Sequence, residues 1–240
     1  MILSRAFHIH LPHLCDTIAI KIVTERTPQS TDPGRILPSG TSFIDQMPKK
    51  TASLFVAPRD HDTAAGLSAQ AYPWQAYALG YQLAAETLLT NLGQPHQGRE
   101  FLSYPLVFVC RHYLELRLKD IITSAGELFD SPAQAISSHN LPDLWRRARK
   151  LAEAASPGTG QDFFEPIEQC VFEFHREDAD SCSFRYPFDT AGKPSLPNLP
   201  DFDLDQFAEA FTRAASNLDA IADYFHEATQ AIRVGLADAQ

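Results

Sequence analysis

From residue 72 onward, apolar residues recur every three or four positions, the spacing that places them on one face of an α-helix. In the first such stretch the repeat includes Trp74, Tyr81 and Leu92, and Gly93 is a favourable helix stop. This pattern predicts a first helix over residues 72–92.

The second predicted helix covers about residues 101–125. Its early part is continuously apolar over residues 106–110, and Pro105 is expected in its first turn. Arg111 and Glu115 then follow among leucines. Because a helix that is apolar on all sides is expected inside a bundle, these charges must have partners or a use.

Three further helices are predicted. The third has Asn140 as its N-cap and Pro142 in its first turn, the fourth covers about residues 162–177 with Asp162 as its cap, and the last covers about 203–233. Five helical stretches without a convincing series of strands predict an all-α fold, an antiparallel bundle of four to five helices.

The regions outside the bundle differ in composition. Residues 1–70 are expected to form an irregular or poorly ordered N-terminal arm, with one candidate strand at 18–23. The bundle is assigned to 71–233 and a tail to 234–240. A long loop with four prolines, residues 178–202, precedes the last helix.

Within that long loop, residues 183–188 are a second candidate strand, and the chain is expected to turn back through residues 189–192.

Composition narrows the function. The chain has 240 residues and a formal net charge of −10, which argues against broad electrostatic binding to nucleic acid. It contains no run of the roughly 18 apolar residues that a membrane helix needs, so a soluble, cytoplasmic protein is expected. The four cysteines form no CxxC pair, and Cys110 and Cys170 are expected to be buried thiols.

The charges of the second helix are the main candidates for chemistry. Arg111, Glu115 and Lys119 are spaced four apart and share a face, with His112 offset by about 100°. They form either a solvated ion pair or a buried or cleft-lining network. His139, at the head of the third helix, is either a loop residue or a group that reaches this face.

The long loop carries further candidates in Arg185, Tyr186 and Asp189. They form either a clamp that holds the loop on the bundle or an anion site beside Arg111. Arg185 is expected to meet one of three carboxylates, namely Glu115, Glu173 or Asp178.

Metal and cofactor sites are not expected. His8, His10 and His13 lie close together without a nearby carboxylate or cysteine, and residues 60–62 are interpreted as solvated turn residues. The basic run at 146–150 is interpreted as a solvated helix face. No nucleotide-binding loop, HExxH or GxSxG motif is present.

Three stretches of the chain contain recognisable patterns. Cys110–Lys119 contains RHxLELxLK, His139–Leu141 contains the helix start H-[DN]-L, and Phe184–Gly192 contains FRYPxD…G. Together these three stretches resemble the HEPN superfamily. The resemblance covers about residues 72–230.

The resemblance implies a helical bundle, usually dimeric, in bacterial toxin–antitoxin or phage-defence systems. Many HEPN proteins are metal-independent RNases whose site is an Arg followed by four to six residues and a His. Here the only match to Arg-x4-His is Arg5 with His10, in the N-terminal arm. Arg111 has no second His at that distance.

Two functions therefore stay open. The first is a HEPN-like interaction or regulatory module, expected to be a homodimer with a protein partner, in a defence, toxin–antitoxin or stress system. The alternative is a divergent metal-independent endoribonuclease that uses Arg111, His112 and His139 with Arg185. Grouping of these side chains in an open groove would favour the enzyme, and a sealed or dispersed arrangement would count against it.

Overall fold

The computed structural model describes residues 73–93, 98–129 and 136–237. This part of the chain contains helices and no strand, which confirms the all-α prediction. The five helices are α1 (Pro73–Leu92), α2 (Arg99–Leu128), α3 (Leu141–Ala155), α4 (Gln161–Glu177) and α5 (Leu204–Ala237). The predictions for the N-terminal arm, including the strand at 18–23, the histidines His8, His10 and His13 and the turn at 60–62, lie outside the described residues.

Helix α2 is the centre of the bundle. It contacts α1, α3 and α5, while α4 packs on α3 and α5. Every residue from Tyr113 to Ile122 is buried, so α2 is enclosed on all sides over nearly three turns. This confirms that the charges of α2 lie among buried apolar residues.

Side-chain pairs between helices give the directions of the chain. Gln75 pairs with His226 and Gln82 pairs with Asp219, so α1 and α5 are antiparallel. In α2, Tyr113 pairs with Asp219 of α5. Further along both helices, the hydroxyl of Thr229 in α5 donates to the carbonyl of Ser124 in α2. Helices α2 and α5 therefore run in the same direction, so this pair is an exception to the predicted antiparallel arrangement. The long loop before α5 makes the parallel arrangement possible.

The start of α2 differs from the prediction. The helix begins at Arg99, after Gly98 in a left-handed conformation with φ of 89°, and Pro105 lies inside the helix instead of in its first turn. A proline inside a helix removes one backbone hydrogen bond. The missing bond would join the backbone nitrogen of Pro105 to the carbonyl of Phe101, four residues earlier. Both residues are exposed, so water can bind that carbonyl instead.

The caps of α3 and α4 have different outcomes. The side chain of Asn140 accepts a hydrogen bond from the backbone N–H of Asp143 at 3.0 Å, as predicted. Asp162 is not the cap of α4, which was the prediction. The N-cap is Gly160, so no side chain caps this helix, and Asp162 lies in the first turn. There it still favours the positive end of the helix dipole.

The long loop is a series of turns. The candidate strand at 183–188 is wrong, because the N–H groups of Arg185 and Tyr186 both donate to the carbonyl of Cys182 in a tight turn. The chain does reverse at 189–192 as predicted, with Gly192 at a φ of +77°.

Cys110 and Cys170 were both predicted to be buried thiols. Cys110 is buried and Cys170 is partly buried. Burial raises the pKa of both thiols, that of Cys170 to about 12, so neither is a reactive thiolate at neutral pH.

Among the helices of the described ranges, none combines the length and apolar character required to cross a membrane.

Candidate functional site

Arg111 is fully buried at the centre of α2, with an exposed fraction of 0%. Its Nε donates to the backbone carbonyl of Asp178 at 2.8 Å, and its Nη2 lies 3.3 Å from the carbonyls of His139 and Ala179. Its Nη1 lies 3.3 Å from Glu115 Oε2. The guanidinium therefore connects α2 to the segments before α3 and after α4, and it presents no donor to a ligand from solvent.

Glu115 lies one turn after Arg111 and contacts Lys119 and His139 as well as Arg111. Its Oε1 accepts from Lys119 Nζ at 2.8 Å and lies 2.7 Å from His139 Nδ1. Burial raises the pKa of this carboxyl, but the hydrogen bonds and charges of Lys119 and His139 together outweigh burial and hold the pKa below its ordinary value. Glu115 is therefore ionised at neutral pH and is the hub of the network.

His139 is the exposed member of this network. Its side chain is 69% exposed, although Nδ1 contacts the buried carboxylate of Glu115. A carboxylate oxygen accepts hydrogen bonds, so this contact favours the proton on Nδ1 and leaves Nε2 as the basic nitrogen. The loop histidine thus reaches the Arg111/Glu115 face, one of the two alternatives left open by the sequence.

Asp178 closes the network from the far side. Its Oδ1 accepts from the backbone N–H groups of Cys182 at 2.7 Å and Ser183 at 2.9 Å. Its Oδ2 is buried without a hydrogen bond and lies 3.7 Å from Arg111 Nε. Asp178 therefore holds the turn at 178–183 in shape while Arg111 binds its carbonyl.

His112 lies on a different face of α2. Its ring stacks on Phe108, with centroids 5.8 Å apart, and meets the edge of Tyr81 at 4.4 Å. Burial lowers the pKa of His112, Glu115 opposes this effect, and the nearby lysine and arginine charges reinforce it. His112 is therefore held neutral between aromatic rings and forms no hydrogen bond with Arg111 among the described residues.

Arg185 is exposed and does not meet the expected carboxylate. Its Nε donates to the carbonyl of Ser181 at 2.6 Å, and its guanidinium lies over the rings of Phe108 at 5.4 Å and Tyr186 at 5.6 Å. The prediction is wrong because the Asp178 carboxylate is enclosed by its own turn and Arg111. The aromatic contacts agree with the clamp interpretation of this loop.

Asp189 lies apart from the network. Its Oδ1 accepts from the backbone N–H groups of Ala191 and Lys193, both at 2.8 Å, so it shapes its own exposed turn.

The predicted site residues thus divide into three sets. The first converges on one carboxylate and consists of Arg111, Glu115, Lys119 and His139. The second consists of His112 and Arg185, which both contact the Phe108 ring, and of Tyr186, whose ring contacts the Arg185 guanidinium. Asp189 belongs to neither set. Because Arg111 and His139 lie in the first set and His112 lies in the second, these three tentative catalytic residues do not form one open site.

A second buried network, on the other side of α2, was not predicted. Tyr113 hydroxyl donates to Asp219 Oδ1 at 2.7 Å, and Arg117 bonds Asp219 at 2.8 Å and Asp120 at 3.1 Å. Asp120 Oδ1 lies 3.1 Å from His226 Nε2. Burial, reinforced by the Asp219 charge, raises the pKa of Tyr113. This network joins α2 to α5.

Helix α1 supplies the outer members of the second network. Gln75 Nε2 lies 2.8 Å from His226 Nδ1, and Gln82 Nε2 donates to Asp219 Oδ2 at 3.0 Å. The available signal was the pair Arg117 and Asp120, two charges three apart in the same apolar helix. Their partners in α1 and α5 had no recognisable pattern.

The chemistry available around Glu115 is limited. His139 has the carboxylate support of a general base, but stabilisation of a developing phosphate charge needs cations that face the substrate. Arg111 is sealed, and Lys119 is 4% exposed with its Nζ on Glu115. Within the described ranges, no group of three or more His, Cys, Asp or Glu residues could hold a metal ion.

Comparison of the chain with protein-family models, with curated proteins and with solved structures returned no match.

Proposed function

We propose that this chain is a HEPN-like helical interaction module that binds another protein without catalysing a reaction. The observation that carries the proposal is the complete burial of Arg111, whose donors are directed to backbone carbonyls and Glu115. An arginine that is sealed from solvent cannot contact the phosphate of an RNA substrate.

The biological setting in this proposal rests on the resemblance to HEPN proteins. The module acts in the bacterial cytoplasm as a homodimer, as a regulatory or accessory part of a defence, toxin–antitoxin or stress system. The network around Glu115 then serves to fix the segments that flank α3 and α4 on α2, and binding occurs at another surface of the bundle.

A metal-independent endoribonuclease is the second candidate, and one contact favours it. The exposed ring of His139 is supported by the ionised Glu115 at 2.7 Å, an arrangement suited to removing a proton from a ribose 2′-OH. In this alternative, Arg185 supplies the exposed cation in place of Arg111.

RNA cleavage separates the two candidates. Purified protein is incubated with single-stranded and structured RNA in the presence of EDTA, beside a His139→Ala variant. His139 suits this test because its exposed ring can be removed without leaving a cavity, whereas Arg111→Ala would leave Glu115 with one buried partner fewer. We expect no cleavage by either protein.

The opposite result has a clear form. Cleavage by the wild type that His139→Ala abolishes, at an unchanged melting temperature, would replace the interaction module by the endoribonuclease. His112→Phe is the matched control, because the structure places His112 between aromatic rings, on a different face of α2 from Glu115 and His139.

A further inference from the structure

A groove lies along the seam between α4 and the first part of α5, with a volume of about 750 Å³. Its floor is aromatic: Phe174, Phe184 and Phe211 are buried there, and Phe207 is partly buried. Residues 199, 200, 202 and 203 form part of its wall. Its lining shares none of the side chains that converge on Glu115.

The rim of the groove is acidic. It carries six carboxylates: Asp162, Glu165, Glu173, Glu177, Asp203 and Glu209. The two arginines of the lining are each paired with a glutamate of the same helix, Arg176 with Glu177 and Arg213 with Glu209, both at 2.7 Å. The other four carboxylates form no ion pair within the described part of the chain, so the rim has a net negative charge.

The length of the groove indicates the kind of occupant. Its lining runs along α4 from Asp162 to Glu177, which corresponds to about 22 Å at 1.5 Å per residue. About four turns of an α-helix have this length. A helix with one apolar face would cover the phenylalanines, and basic residues at its edges would meet the carboxylates.

We propose that this groove binds a cationic amphipathic helix of a partner protein. The inference rests on the proposed function and names the surface and the partner chemistry of the interaction module. A nucleic acid does not fit here, because its phosphates would meet the carboxylates of the rim, and both arginines among the described lining residues are already paired with glutamates.

The probe for this proposal is a fluorescent helical peptide of about 15 residues made only of leucine and lysine, with leucine at positions i, i+3, i+4 and i+7. Binding is measured by fluorescence anisotropy at about 0.15 M salt, where exposed charges farther apart than about 8 Å are largely screened. The matched control is a peptide of the same composition in which the leucines no longer share a face. We expect the amphipathic peptide to bind and the scrambled peptide to bind at least about tenfold more weakly.

The groove itself is tested by charge reversal. The double variant Asp162→Lys/Glu165→Lys is compared with Asp223→Lys/Glu227→Lys, which makes the same charge change at exposed positions of α5 outside the groove lining. We expect the groove variant to weaken peptide binding at least about tenfold and the control variant less than about threefold.

A groove-filling variant provides a test that leaves the acidic residues in place. Ala210 lines the groove and is exposed, so Ala210→Trp can fill the space without disturbing the core, and it should also abolish binding. Equal losses in the groove and control charge variants, no binding of the amphipathic peptide, or full binding to Ala210→Trp would each overturn the proposal. So would a change of oligomeric state in Ala210→Trp without peptide binding, which would assign the groove to a second copy of the chain.

The two proposals fail in different ways. Loss of the groove proposal with no RNA cleavage leaves the interaction module in place with another binding surface. RNA cleavage that depends on His139 removes the interaction module regardless of the peptide result.

Discussion

Glu115 shows the conditions under which a charge is stable in the centre of this bundle. The carboxylate is 2% exposed, and its two oxygens receive Arg111 on one side and Lys119 with His139 on the other. Removing one charge from a buried set leaves the others without compensation, and this costs more than the set contributed as a whole.

Replacing Glu115 by alanine should therefore destabilise the protein strongly. We expect Glu115→Ala to lower the free energy of unfolding by roughly 3–5 kcal/mol, measured by urea denaturation, because Lys119 stays buried without an anion and Arg111 keeps only the Asp178 carboxylate at 3.7 Å. The control is Glu153→Ala, in which a glutamate with a 50% exposed side chain loses its bond to Arg149. That change should cost less than about 1 kcal/mol. A loss of the same small size in Glu115→Ala would contradict the structure.

His112 makes a prediction about acid stability. Burial between Phe108 and Tyr81 lowers its pKa below the ordinary value of 6.5. As the pH falls below 6.5, the unfolded chain takes up the proton before the folded chain does, so this residue contributes a loss of stability over the window down to its folded pKa.

The variant His112→Phe removes this loss and keeps a ring against Phe108. Between about pH 8 and pH 5, the wild type should lose more unfolding free energy than the variant, as measured by urea denaturation. In the wild type, the ring proton signals of His112 in an NMR titration should have their midpoint below 6.5. Identical pH profiles or a midpoint above that value would show that the ring is not buried as described.

At the scale of elements, α2 organises the loops as well as the helices. Its Arg111 binds the carbonyls of Asp178 and Ala179 at the end of α4, and Asp178 in turn closes the turn that begins the long loop. The loop therefore has a defined start although it contains no regular structure. Its path depends on one buried carboxylate.

Asp178→Ala should release the beginning of the long loop while the helices persist. The side chain of Asp178 is 0% exposed, and its removal frees two backbone N–H groups of the turn. We expect trypsin to cut after Arg185 several-fold faster than in the wild type, with helical content by circular dichroism unchanged. Asp180→Ala, an exposed neighbour in the same turn, is the control. Equal cutting rates in the two variants would show that Asp178 does not hold the loop.

At the scale of the whole bundle, the two polar networks lie on different sides of α2. The network around Glu115 connects α2 to the starts of α3 and of the long loop, and the network around Arg117 connects it to α1 and α5. Hydrogen bonds and ion pairs need specific partners, whereas apolar contacts tolerate other packings. The polar contacts therefore specify how the helices are placed around α2.

Much of the helical architecture could be predicted, and the errors have local causes. The five helices were found because apolar periodicity and caps such as Asn140 are local signals. The sequence predicts Pro105 in the first turn of α2, but an exposed proline also occurs inside a helix when water binds the carbonyl that it leaves unpaired. The candidate strand at 183–188 is a tight turn, and a short segment of this kind has no local signal that distinguishes a strand from a turn.

The sequence by itself determined that α2 is a buried helix with Arg111, Glu115 and Lys119 on one face, since both facts follow from the order of residues within a single helix. Only the tertiary structure decided whether Arg111 could meet a substrate. The groups that seal it, the carbonyls of His139 and Asp178, come from positions 28 and 67 residues away. Backbone carbonyls are present at every residue, so no sequence pattern marks the ones that will reach an arginine, and their approach depends on how the whole bundle packs.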